Sequence, residues 1–99
     1  MVIPKAFQLA GQTINVEFSK TLVRVDDADG QFYPMLNKIA IQEQVDGCPR
    51  TDDQLGHTFC HELTHAILDT MGEKKLFDDE KFVDLFGHLL YQVFKTANY

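Results

Sequence analysis

One run of five residues, His61-Glu62-Leu63-Thr64-His65, restricts the fold of this chain more than any other. For its two histidines to act together the run must be helical. Residues four apart on an α-helix stand one above the other on the same face, so both rings can offer a nitrogen to one metal ion. Glu62 follows His61 by roughly 100° around the axis and flanks such an ion rather than binding it. A carboxylate in that position can take a proton from a water the ion activates, the arrangement of a zinc-peptidase centre.

The flanking residues support the helix. Thr51-Asp52-Asp53-Gln54 has the form of a capping box, with acids in the first turn where they complement the helix dipole. Leu55, Phe59, Cys60, Leu63, Ala66, Ile67 and Met71 follow at helical spacing and fill one broad arc. His61 and His65 fall just outside that arc and Glu62 beyond its other border. The helix is therefore predicted to bury one side and to carry the histidines along a flank. Gly72 is a plausible C′ stop, which sets the helix at about 52–71.

A short loop over 73–77 leads to a second helix, about 79–96, capped by Asp78 or Asp79. Its apolar stripe is Phe82, Leu85, Phe86, Leu89, Leu90, Val93 and Phe94. Gly87 stands close to the column of Glu80 and Asp84. A glycine inside a helix costs roughly 1 kcal/mol against alanine, which suggests close approach by another helix. Helices joined by so short a link pack antiparallel, so the second begins beside the end of the first, where His65 lies.

The N-terminal part reads as sheet, over about 5–45. Phe7 and Leu9 alternate with polar neighbours, Gly11-Gln12 signals a turn, and Ile14, Val16 and Phe18 resume the alternation of a half-buried hairpin. Thr21, Leu22, Val23, Arg24 and Val25 extend the second strand or form a short separate one. Asp26, Asp27, Ala28, Asp29 and Gly30 make a turn without the spacing of a calcium loop. Ile39 and Ile41 alternate with Lys38, Ala40 and Gln42 in a further strand, and Pro34 confines the start of that stretch to an edge or a bulge. An edge strand over 38–43, from Lys38 as far as Glu43, is a template for an extended peptide, and substrate is expected to pair there. Residues 46–50 read as a loop. The expected class is α+β, one domain over 1–99, with a small antiparallel-rich sheet packed on two antiparallel helices.

A catalytic zinc site usually takes three protein ligands and leaves the fourth position open for water. Glu80, Asp84, His88, His57 and Asp69 are candidates for the third. Glu80 is favoured, because its helix starts where the first ends. Asp84, one turn on, is then placed to accept the other ring N–H of a ligand histidine and so fix its tautomer.

At these residues the chain resembles a known family. His61-Glu62-Leu63-Thr64-His65-Ala66, with Asp69 beyond, is similar to the active-site helix of thermolysin-like gluzincins. Glu80-Lys81-Phe82-Val83-Asp84-Leu85-Phe86-Gly87 is similar to their glutamate helix, E-x-x-x-D followed by glycine. The resemblance covers roughly 57–90. It implies Zn²⁺ held by His61, His65 and Glu80, a ligand set known from thermolysin. It implies Glu62 as general base and Asp84 as partner to a ligand histidine. The link from His65 to Glu80 is shorter than in thermolysin, and no second domain is expected here to supply the oxyanion-steadying histidine or tyrosine. In size the chain resembles minigluzincins and small phage- or prophage-encoded metallopeptidases, for which the resemblance implies a minimal zincin-like domain.

The expected function is peptide-bond hydrolysis, with zinc polarising the scissile carbonyl and Glu62 relaying a proton from the attacking water to the leaving amine. One further donor to the oxyanion would come from among His57, His88, Tyr33, Tyr91 and Tyr99. Cys60, directed into the apolar arc, reads as packing. Two other classes compete: a zinc-stabilised peptide-binding module without turnover, and a regulatory protease-like protein resembling the ImmA/IrrE group, acting on one repressor. An intact Glu62 favours catalysis over binding alone. A net charge of −6, with Lys74-Lys75 the longest basic run, leaves no footprint for nucleic acid. No run of about 18 apolar residues reaches the length of a membrane span. Met1-Val2-Ile3-Pro4-Lys5 lacks the pattern of a secretory signal, and Cys48 and Cys60 do not form a disulfide framework, so a cytoplasmic setting is expected.

Overall fold

The computed structural model describes residues 1–23 and 29–99. Its elements are β1 (Ala6–Leu9), β2 (Gln12–Ser19), β3 (Gly30–Tyr33), β4 (Lys38–Gln42), β5 (Gln44–Val45) and β6 (Cys48–Pro49). Three helices follow, α1 (Asp52–Met71), the single turn α2 (Lys74–Phe77) and α3 (Glu80–Thr96). The class is α+β, as the periodicities predict.

β1 and β2 form the expected hairpin. Its turn is Ala10-Gly11, with φ of 50° and 79°, one residue earlier than Gly11-Gln12. Two central residues at positive φ match the right-handed twist of the flanking strands. Pro34 ends β3 rather than bulging it. One 3-10 turn over Pro34–Leu36, closed by Asn37 at φ 48°, sends the chain back antiparallel as β4. β4 in turn runs parallel to β2, so the sheet order is β1-β2-β4-β3.

That order overturns the expectation of an edge strand over 38–43. β4 is hydrogen-bonded on both sides, and the outer strands of the sheet are β1 and β3. The alternation of Ile39 and Ile41 with polar neighbours concealed a strand that is buried on both faces, because Ala40 is small and Gln42 is satisfied internally. The Gln42 amide donates to the carbonyls of Lys20 and Gln44 and accepts from the Val23 N–H, so its burial leaves no unmet polar group. Thr21, Leu22 and Val23 depart from strand geometry, while Arg24, Val25 and the turn residues Asp26, Asp27 and Ala28 lie outside the described residues. The loop expected over 46–50 contains half of a small hairpin, β5–β6.

α1 begins and ends as its sequence dictates. Thr51 Oγ1 accepts from the Gln54 N–H, Gln54 Oε1 accepts from the Thr51 N–H, and Gly72 closes the helix at φ 75°. Its surroundings differ from expectation. The sheet covers one side, where Ile14, Val16, Phe32, Ile39 and Ile41 meet Phe59, Cys60 and Ala66. α3 covers another, β3 closes over Thr58 and Glu62 at Gly30, and Phe77 packs on His65, so Thr58, Glu62, Thr64 and His65 are buried as well. The helix is a middle layer rather than an amphipathic outer one.

α3 lies antiparallel on α1, with the Gly87 column facing α1 as that glycine suggests. Val83, Gly87 and Tyr91 face the body of the molecule, while Leu85, Phe86, Leu89, Val93 and Phe94 are exposed. The apolar stripe lies largely on the opposite side of the helix from the column Glu80-Asp84, so burying the stripe would turn both acids away from the histidines. Gly87 permits the arrangement observed. A Cβ there would stand 2.9 Å from His61 Cα and 3.1 Å from the Cys60 carbonyl oxygen, so only glycine lets the backbones meet. Among the described residues no helix is long and apolar enough to cross a membrane.

Candidate metal centre

The three layers bring His61, His65 and Glu80 together. Glu80 is the first residue of α3, positioned by the Asp79 cap whose side chain accepts from the Phe82 N–H. Its carboxylate oxygens lie 3.3 Å from His61 Nε2 and 3.2 Å from His65 Nε2, and one donor atom from each of the three residues falls within 4.8 Å of the others. Two ligands at tetrahedral angles on zinc, with bonds of about 2.0–2.1 Å, stand roughly 3.3 Å apart. The spacing and the N, N, O donor set therefore fit a zinc ion, while the same distances let Glu80 accept from the rings when no ion is bound.

The two rings differ in support. His61 Nδ1 lies 3.5 Å from Asp84 Oδ1, one turn along α3, so a proton on Nδ1 is directed at that carboxylate and Nε2 is left as the ligand nitrogen. His65 is packed edge-on to Phe77 with centroids 4.6 Å apart, and its Nδ1 is buried without a hydrogen-bond partner. Burial holds the His65 pKa below its ordinary value, against the opposing pull of the Glu80 charge. A depressed pKa keeps the imidazole neutral, the form that binds metal.

Glu62 sits one position beyond His61 and is only 7% exposed. Its pKa is pushed up to about 7, first by burial and then by the nearby Glu80 charge, with a backbone hydrogen bond at Phe32 acting the other way. A carboxyl near neutral pH is poised to exchange a proton. Gly30 makes room for it: a Cβ there would lie 2.5 Å from Thr58 Cγ2 and 3.1 Å from Glu62 Cγ. A cavity of about 270 Å³ opens here between Phe32, Phe77, Glu62 and the three candidate ligands.

The other candidates stand elsewhere. Asp69 and His88 do not join the ligand cluster. His57 stacks on His88 with ring centroids 4.4 Å apart and meets Tyr91 in a tilted contact at 4.2 Å. Tyr91 donates to Asp53, which also pairs with Lys95 at 2.8 Å, so its hydroxyl is committed. Of the five possible oxyanion donors only His57 lines the cavity of about 500 Å³ that adjoins His61 and Glu62. Cys60 is buried, its thiol pushed up to about 11 by burial, in keeping with packing. Sequence reasoning missed Gly30, Thr58, Phe77 and Arg50. Gly30 at the start of a strand is a signal for close backbone approach, but the other three carry none. Comparison with protein-family models, curated proteins and solved structures returns no match.

Proposed function

We propose that this chain is a zinc-dependent metallopeptidase. The observation that supports the reading is the meeting of His61, His65 and Glu80 from two helices, with the buried Glu62 carboxyl at their side. Bound zinc would supply Lewis acidity, polarising a substrate carbonyl and making water a stronger nucleophile. Glu62 takes the proton of the attacking water and returns it to the leaving amine, a relay suited to a carboxyl whose pKa lies near 7. Asp84 orients the His61 ring, and Phe77 and burial keep His65 neutral and in place. His57 is the donor best situated to steady the oxyanion.

With β4 enclosed, the edge available to an extended peptide beside the centre is that of β3, whose Gln31 and Phe32 border the cavity at Glu62 and Glu80. Free Cys48, exposed, and free Cys60 suit a reducing, cytoplasmic setting.

The test is zinc content by elemental analysis of the wild type and of Glu80→Ala, together with hydrolysis of a mixed peptide library. We expect about one zinc per chain, weakened binding in the variant, and hydrolysis that a chelator stops. A wild-type protein that takes up no zinc when offered it removes the basis of the reading.

A further inference from the structure

Beside the metal centre, the cavity of about 500 Å³ runs from His61 and Glu62 towards the start of α1 and ends at Arg50. Arg50 follows β6 and precedes the Thr51 cap, and its guanidinium is held in a fixed orientation. Nη1 donates to the Gln42 carbonyl at 2.8 Å and to the Asp29 carbonyl at 3.4 Å. Nη2 donates to Thr58 Oγ1 at 2.8 Å and to the Gln54 carbonyl at 3.4 Å. Every one of these acceptors is neutral. Among the described residues Arg50 makes no ion pair, although the chain carries fifteen acids to nine bases.

A guanidinium in a cavity wall, whose acceptors among the described residues are all neutral, presents a planar fork whose geometric match is a carboxylate. Its two 3.4 Å bonds are long for N–H···O, so those donors can turn to an incoming anion while the two 2.8 Å bonds anchor the group. Among the described residues Arg50 is the cavity's one permanently cationic side chain. Three acids share the cavity and none pairs with the guanidinium: Asp84 is directed at His61, Glu62 packs beneath Gly30, and Asp29 meets Arg50 through its carbonyl. Thr58, bonded to Arg50, precedes Glu62 by one helical turn, roughly 6 Å of rise. An extended residue advances about 3.3–3.6 Å, so a carboxylate borne by a residue next to the scissile bond spans that interval.

We propose that this cavity is a carboxylate subsite and Arg50 its specificity residue, so that the substrates are peptides with a carboxylate adjacent to the bond that is cut. The inference rests on the peptidase reading for its reaction but not for its binding. The carboxylate has two sources, an Asp or Glu side chain and a free C-terminus. Arg50 also ties the end of β4 to α1, and a purely structural role would lower hydrolysis of all peptides alike.

The experiment compares blocked peptides that carry Glu or Gln on either side of the scissile bond with the same peptides ending in a free carboxylate or an amide. For the zinc-loaded wild type, kcat/KM is expected to favour the carboxylate member at one position by at least about tenfold, as one charge-assisted contact provides. Arg50→Gln should bring the ratio to within about threefold, and Arg50→Lys should keep part of it. Preference confined to blocked Glu peptides assigns the side chain, and preference confined to free C-termini assigns the terminus. Equal rates for all members of the wild-type panel overturn the proposal while leaving the peptidase reading intact, whether or not Arg50→Gln folds. Calorimetric titration of metal-free wild type with the same peptides separates the two readings. Tighter binding of carboxylate peptides without any hydrolysis in the zinc form retains the subsite and removes the peptidase. Neither binding preference nor hydrolysis removes both.

Discussion

Burial raises the Glu62 carboxyl from 4.5 to about 7, and its consequences reach beyond catalysis. A carboxyl whose folded pKa is raised contributes stability that is fully present below about 4.5 and is lost as pH rises through about 7. Glutamine does not titrate, so metal-free Glu62→Gln should gain on the wild type across that window and level off above it. The gain is up to about 2–3 kcal/mol. Urea unfolding of both proteins at pH 5 and pH 8 measures it, and an equal difference at the two pH values would mean that ionised Glu62 is not penalised by the fold. In the zinc form the same substitution should lower turnover by at least about 10²-fold while zinc content is unchanged. At this scale His61, Glu62 and His65 were legible because one helix carries them and their spacing alone defines the face. Glu80 needed only the added inference of a short antiparallel link. Arg50 was not legible, because it meets α1 through a contact that sequence proximity does not announce, and Gly30 signalled a close approach without saying to what.

Between elements, the decisive contact is Gly87 against the backbone of His61. Gly87→Ala places a methyl 2.9 Å from His61 Cα and 3.0 Å from His61 N, atoms of a helix that cannot swing aside. The gain in helix propensity, about 1 kcal/mol, is outweighed by overpacking, and we expect a net loss of roughly 1–2 kcal/mol with weaker zinc binding. Leu89→Ala, on the exposed face of α3, should change thermal stability little; a comparable loss there would show that the outward stripe is covered in solution. The two long helices were legible to the residue or nearly so, since caps, stops and periodicity all agree. Their facing was legible only in part. Gly87 marked the packing face, but nothing marked the apolar stripe of α3 as exposed, because amphipathicity records where apolar residues lie and not whether anything covers them. Likewise β4 looked like an edge because Pro34 opens its stretch, and nothing in the alternation shows that Pro34 belongs to a 3-10 turn outside the strand.

For the molecule as a whole, a three-layer body of 99 residues buries a limited core, so a ligand shared by two layers should weigh heavily in its stability. Zinc at 100 times its Kd would add about 2.7 kcal/mol by mass action, which for a domain of this size raises Tm by on the order of 10–20 °C. Differential scanning calorimetry with and without chelator checks this, and an unchanged Tm would mean that no ion bridges α1 and α3. The layered arrangement also fixes how α3 is seated. Greasy contacts tolerate sliding, since one aliphatic neighbour substitutes for another. Apart from the buried Val83 and the half-buried Leu90, α3 turns its grease outward and engages α1 through Glu80 and Asp84 at one end, a glycine notch in the middle, and Tyr91 and Lys95 on Asp53 at the other. Each of these is lost on a shift of one residue, so the helix behaves as a ruler clamped at three marks, and the spacing between the histidines and the glutamate is as exact as that clamping.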